Sequence, residues 1–401
     1  MRRSESWGRF ALLVLVAGYL LSRPGLLAVA GLMLVVLAVA WLWNRFSLTS
    51  FSYHRRFRYR RAFAGESIAL ELRLENRKPL PMAWLRTLDP WPLPVAPGDP
   101  DALLPSHLPG EGLLGLLVVM RGRERIRRRI DLLFRQRGTY RVGPATAESG
   151  DPFGLFHNEA IAAAAERLVV YPEIRPLRDL GLAPDDPFGE RKSQRHLFED
   201  NTRTLGVRDY RPGDSFRSIH WPATARLGQL QTRVHQPVSG LDLIVCLNAA
   251  TFARHWEGTD PEMLEALVRT TASLANEAYS RGYRVGLISN GSISHSDRPF
   301  TIPPGRSREQ LPRLLEALAG LVPLITVPFE RYLLSQAPRL EYGSTLLVVT
   351  AFVSPGLVET LLRLKARCRR AALLSLGNEA PPVIPGVEVL RVPGPRDRRA
   401  A

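Results

Sequence analysis

Cysteine is almost missing from this chain: Cys246, in an apolar run, and Cys368, on a predicted helix, are the two among 401 residues. Two isolated thiols exclude a disulfide framework, offer no zinc-ligand spacing and suit a reducing compartment. Acidic residues are also scarce, 38 against 54 lysines and arginines, which leaves a net charge of +16. A surplus that large points to an anionic partner such as lipid headgroups or nucleic acid. Aromatics do not interleave with the basic runs, so stacking platforms are lacking and no specific nucleic acid is expected. No G-x-x-x-x-G-K-[ST] loop occurs, and no serine or cysteine sits in a nucleophile motif near the charged centre of the chain. No cofactor is expected.

What is present begins with apolar length. Gly25 to Trp43 runs for nineteen residues without a charge, nearly enough at about 1.5 Å per residue to cross a hydrocarbon core of about 30 Å. Trp7 to Leu21 is apolar apart from Gly8 and Arg9. It is expected to form a first span, with Arg9 snorkelling, Trp7 at the interface and Ser22-Arg23-Pro24 as the hairpin turn. The rival reading, a signal-peptide core, leaves the second run unexplained. Arg2, Arg3 and Arg9 flank the entry, Arg45, Arg55, Arg56, Arg58, Arg60 and Arg61 follow the exit, and only Arg23 lies between. That excess at the outer ends predicts a two-span inner-membrane protein with its N-terminus and C-terminal domains in the cytoplasm.

After residue 45 the period changes to two. Ile68, Leu70, Leu72 and Leu74 alternate along Ser67 to Leu74, and Leu113 to Met120, Ile126 to Phe134 and Thr139 to Val142 are further strand candidates. A small antiparallel sandwich is the expected architecture. Arg121 to Arg141 holds nine arginines. They form either the solvated face of a half-buried strand or, with Arg127, Arg128 and Arg129 as candidates, a membrane-surface patch. Gly150-Asp151-Pro152-Phe153-Gly154-Leu155-Phe156 reads as the corner that ends the sandwich.

The densest stretch is Leu205 to Val234, where Arg208, Arg211, Arg217, Arg226 and Arg233 surround Asp209, Asp214, His220 and Trp221. Asp214 or Ser215 is placed to cap a short helical turn that Pro222 would end. The charges could lock an irregular segment with Trp221 as a hydrophobic plug, or hold a partner carboxylate or phosphate. Asp214 and His220 are an acid–base pair without a nucleophile or metal motif beside it, so a hydrolase is a minor alternative.

Beyond it, Leu241 to Leu247, Val285 to Ser289, Thr345 to Thr350 and Ala371 to Leu376 are short apolar strands. Pro261 to Arg281, Ser307 to Leu321 and Pro355 to Arg370 have helical spacing between them. That alternation predicts a doubly wound α/β domain, with Asn290-Gly291-Ser292 as a turn.

The pattern R-x-Y-x-P-G-D-x-x-R-x-I-x-W-x-x-T-A-R-x-G-x-L from Arg208 to Leu230 resembles the signature of the bacterial "DUF fifty-eight" family of membrane-anchored proteins. So does the upstream R-G-T-Y-R-V-G-P…G-D-P-F-G-L-F from Arg137 to Phe156. Pro222 departs from the basic residue expected there. The resemblance implies a C-terminal von Willebrand factor A-like domain and association with MoxR-type AAA+ ATPases; it implies no reaction. It also sharpens one site. Such domains carry D-x-S-x-S after the first strand for Mg²⁺, whereas Asn248, Ala250 and Phe252 stand here, so the site is read as degenerate and no metal is expected.

The resulting division is a transmembrane helical hairpin (1–45), a β-sandwich (46–175), a linker (176–204), the arginine-rich motif (205–236), the A-like α/β domain (237–392) and a disordered tail (393–401). The expected function is a non-enzymatic membrane scaffold. It would present Arg208, Asp209, Tyr210, Gly213, Asp214, Arg217, His220, Trp221 and Arg226 to a protein partner such as a MoxR-type ATPase. Lipid or nucleic-acid binding by the basic middle is the other alternative.

Overall fold

The structure is a computed structural model that describes residues 2–182, 199–210, 219–237, 242–254, 257–294, 296–377 and 379–395. Most of the expected linker and the end of the tail therefore lie outside the described residues. The chain divides into two compact units, Met1–Glu173 and Ile174–Ala401.

The first unit opens with helices α1 (Arg2–Leu20) and α2 (Pro24–Arg45). Proline opens α2, where its missing N–H costs nothing. The two helices pack on each other closely enough that a Cβ on Gly18 would lie 3.0 Å from that of Leu26. Of the described helices, α2 alone is long and apolar enough to cross a membrane.

Eleven strands follow: β1 (Phe51–Phe57), β2 (Arg61–Phe63), β3 (Ser67–Asn76), β4 (Met82–Pro92), β5 (Leu104–Pro105), β6 (Glu111–Met120), β7 (Arg125–Leu133), β8 (Gly138–Val142), β9 (Ala145–Gly150), β10 (His157–Ala163) and β11 (Glu166–Tyr171). They form sheets ordered β1-β3-β7, β10-β9-β4-β6-β5 and β2-β11-β8. The alternation read in β3 is realised, since Ile68, Leu70, Leu72 and Leu74 are buried in one core with Leu85, Trp91, Leu114, Met120, Phe134 and Leu168.

Two basic side chains are buried in this unit. Arg55, one of the arginines that follow the second apolar run, lies inside the β-rich body. Its Nε and Nη2 clasp the carboxylate of Asp89 at 2.8 and 2.6 Å, and the Tyr53 hydroxyl donates to the same carboxylate at 3.0 Å. A charge inside a core needs such a bidentate partner. Lys78 donates from Nζ to the carbonyl oxygens of Phe46, at 2.5 Å, and Ser47, just beyond α2. Burial pulls its pKa down to about 8.

The second unit contains β12 (Glu199–Asp209), α3 (Trp221–Leu227), β13 (Gln231–Pro237), β14 (Asp242–Leu247), α4 (Pro261–Ser280), β15 (Arg284–Ile293), β16 (Ser296–Gly305), α5 (Gln310–Ala319), β17 (Leu321–Val322), α6 (Phe329–Gln336), β18 (Thr345–Thr350), α7 (Pro355–Lys365), β19 (Arg370–Ser375) and β20 (Glu388–Arg391). β12 and β13 form an antiparallel hairpin. The large sheet runs β16-β15-β14-β18-β19-β20, parallel except for β16 and the short β17. Every residue of β14 and β18 is buried, because helices cover both faces. The stripe Met263, Leu264, Leu267, Thr271 and Leu274 faces inward from α4, as its spacing predicts.

One local expectation is corrected here. Asn290-Gly291-Ser292 continues β15 rather than turning. A Cβ at Gly291 would come within 2.9 Å of the Ala249 side chain, so glycine is there for close packing, not for a bend.

Candidate functional site

Winding outward from β14 to β16 and then back through β18 to β20 creates a switch point between β14 and β18, the place where open α/β sheets receive ligands. Asn248 leaves β14 there and Ala351 leaves β18. The Asn248 side chain is buried and satisfied: its Nδ2 donates to Thr350 Oγ1 at 3.1 Å, and its Oδ1 accepts from Ala250 N and Asn290 Nδ2, both at 3.1 Å. Asn290 Oδ1 in turn accepts from Ala249 N at 2.8 Å, and Thr350 Oγ1 donates to the Phe352 carbonyl at 2.7 Å.

Three loop ends are thus stitched by neutral amides and a hydroxyl. A hard divalent cation needs oxygens that are free to turn toward it, commonly carboxylates. Here the Asn248 oxygen is committed to two donors, and Ala250 and Phe252 carry no oxygen on their side chains. The residues present do not fit Mg²⁺. No group of three or more His, Cys, Asp or Glu side chains that could hold a metal occurs among the described residues.

Beside this network lies a cleft of about 300 Å³, lined by Thr251, Phe252, Met263, Phe352, Val353 and Pro381 among others. Asp260 reaches its wall, but the carboxylate caps α4 by accepting from Glu262 N and Met263 N at 3.0 and 3.2 Å. The exposed Glu379 is the other acid on the rim. Thr251 and Ser375 add hydroxyls to the lining, so the cleft can grip an apolar side chain with a polar or basic tip.

The described part of the arginine-rich motif lies on the antiparallel pair β12–β13 and on α3. Arg208 and Asp209 pair with Thr232 and Gln231, and Tyr210 N donates to Leu230 O at 2.9 Å. Gln231 Nε2 donates to Asp209 Oδ1 at 2.6 Å, so Asp209 accepts a hydrogen bond from a buried amide. His220 caps α3, its Nδ1 accepting from Ala223 N at 3.1 Å; the earlier turn expected to be capped by Asp214 or Ser215 lies outside the described residues. Pro222 sits in the first turn of α3 and opens it. Arg226 lies exposed in the last turn. Trp221 is 64% exposed, so it plugs nothing within the described residues. Gly213, Asp214 and Arg217, with Arg211, lie outside them.

Arg127, Arg128 and Arg129 are exposed on β7, an edge of its sheet. Arg127 is 3.8 Å from Glu71 and Arg129 is 3.9 Å from Asp131. Arg125, and then Arg77, hold the Glu75 carboxyl below its ordinary range.

Sequence reasoning missed Asn290 and Thr350. Their residue types carry no chemical signature, and only the meeting of three strand ends gives them a role.

The family scan gives the decisive match, over residues 206–398, to the family described as "Protein of unknown function DUF58". Those residues, a little under half of the chain, match that family's model. The matched region contains the described part of the motif from Gly206 onward, the crevice and the whole seven-stranded sheet. The uncharacterized protein YeaD of Bacillus subtilis (strain 168) is 21% identical over 254 residues, 61% of this chain and 57% of that protein. The match thus spans little more than half of that relative. Among solved structures, a CARDB domain from Pyrococcus furiosus, described in complex with di-metal ions, covers 30% of this chain and 91% of its own at 12% identity and a TM-score of 0.21. A cohesin module from Clostridium perfringens covers 30% and 97% at 12% identity and a TM-score of 0.22.

Proposed function

We propose that this protein is a membrane-anchored, non-enzymatic adaptor. Its DUF58 region would offer the switch-point crevice and the Trp221–Arg226 helix to a protein partner, a MoxR-type AAA+ ATPase, in complex assembly or chaperone-like work. The observation that carries this reading is the Asn248–Asn290–Thr350 network. It fills the fold's ligand position with groups that satisfy one another, beside an apolar cleft, which favours gripping a partner's side chain over activating a substrate.

The order of the large sheet, with its third strand antiparallel, supports a von Willebrand A-like domain with a degenerate metal site. The length and apolarity of α2, with α1 packed against it, support two spans in the inner membrane and a cytoplasmic location for the remainder. For a hydrolase built on Asp214 and His220, Asp214 lies outside the described residues and the His220 contact observed is the helix-capping one. The acidic neighbours of Arg127 and Arg129, Glu71 across the ladder and Asp131 on the same strand, favour a solvated strand face over a lipid or nucleic-acid patch.

Cross-linking in native membranes followed by purification of the full chain tests the adaptor reading. An AAA+ ATPase is expected to co-purify, and Phe352→Asp is expected to reduce its yield while the chain stays in the membrane. Absence of any AAA+ ATPase, or a yield unchanged by both Phe352→Asp and Trp221→Ala, overturns it.

A further inference from the structure

The turn between β9 and β10 has no part in the adaptor reading, yet it is built with care. Asp151 is buried, and its carboxylate accepts from the backbone N–H groups of Phe153 at 2.8 Å and Phe156 at 2.6 Å. Gly154 closes the bend at a φ of +70°, which glycine adopts without strain. A turn braced by a buried carboxylate is stiff, and what it holds out is the Phe153 ring, 58% exposed. Keeping a phenyl ring in water opposes the hydrophobic effect, so a braced ring implies something apolar to receive it.

The position of the turn selects the receiver. Asn158, next to it on β10, donates from Nδ2 to the Asn44 carbonyl in the last turn of α2 at 2.7 Å. Two more loops gather at the same helix end. Arg77 N donates to Ser50 O at 3.1 Å, Lys78 holds Phe46 and Ser47, and Arg123 N donates to Lys78 O at 2.9 Å. This rim carries the exposed Arg77, Arg121 and Arg123 around the end of the one described helix suited to a bilayer.

We infer that Phe153 is an interfacial anchor, its ring entering the boundary between headgroups and acyl chains of the bilayer that α2 crosses. The inference rests on the membrane-spanning reading of α2. Aromatic rings favour that depth, and arginines beside them meet anionic headgroups. The membrane is favoured over a protein as occupant because the turn adjoins the helix exit and its neighbours are cationic. The opposite end of the body provides a control. Leu108 is exposed near the start of β6, whose far end, Met120, pairs with Met82 close to the exit. The strand separates the two ends by roughly 30 Å at about 3.4 Å per residue.

The test places photo-reactive p-benzoylphenylalanine at position 153 or 108 of the full chain in native membrane vesicles. The vesicles are irradiated, and mass spectrometry identifies what is attached. Lipid adducts are expected at 153 and not at 108. Adducts to protein alone at 153, no adduct there, or equal lipid labelling at both positions overturns the inference while α2 still holds the chain through a carbonate wash. Release of the chain by that wash overturns the membrane-spanning reading, and the anchor with it.

Discussion

Asn290 donates its side-chain amide to Oδ1 of Asn248 across the adjacent ends of β15 and β14, at 3.1 Å. The bond commits the Asn248 oxygen, so aspartate is not equivalent at this position. Asn248→Asp removes the donor to Thr350 Oγ1 and buries a charge, so a loss of about 2–3 kcal/mol is expected. Denaturant unfolding of the full chain reads it, and added Mg²⁺ should not restore the loss, because positions 250 and 252 supply no oxygen.

The motif separates into a structural and an exposed part. Gln231→Ala strips Asp209 of its buried partner and should cost about 1–2 kcal/mol. Trp221→Ala should change stability by no more than about 0.5 kcal/mol, the usual range for surface positions. Hydrogen exchange across β12 and β13 distinguishes them: protection falls in the first variant and holds in the second. Partner capture should fall with Trp221→Ala despite its intact fold.

Lys78→Met preserves the apolar stem and removes the ammonium, leaving the Ser47 carbonyl without that donor while Phe46 O keeps the Thr49 hydroxyl at 2.9 Å. A local loss of about 1–3 kcal/mol follows from the lost charged donor. Faster exchange or proteolysis at residues 46–50, without change in the second unit, is the expected result.

Asp242 lies at the other end of β14 from the crevice. Burial first, and then hydrogen bonding and repulsion from Glu341, push its pKa up from 3.8 to about 7, while Arg284, 3.2 Å away, pulls weakly down. Glu341 is held below its ordinary value by the same hydrogen bond, so the pair carries one proton. The folded chain keeps a proton that the unfolded chain releases. Its contribution is complete below the unfolded value near 3.8 and is lost as pH rises through about 7. The melting temperature of the second unit should drop over that window, and Asp242→Asn should flatten the dependence.

Much of the architecture could be read from residue order. Alternation in Ser67 to Leu74 and the short apolar runs at 345–350 and 371–376 correspond to real strands, because burial on one face or two leaves a direct pattern. β16 was hidden by Pro299, Pro303 and Pro304, which an antiparallel edge tolerates and a central strand does not. α3 was not read from the sequence because Pro222 can either end or open a helix; in the structure it stands in the first turn behind the His220 cap. At the crevice, the lack of a carboxylate at Asn248 was legible. The closed amide network it joins was not, since Asn290 in an Asn-Gly-Ser sequence has the chemistry of a turn.

Lys78 also has a mechanical consequence. Only five residues separate α2 from β1, and their carbonyls are gripped from the β-rich body by Lys78 and by Arg77 N, while Asn158 grips Asn44 from the other side. The helix and the body behind it are coupled as shaft and wheel. A rotation of α2 about its own axis would turn the body with it, with no slack tether to absorb the torque.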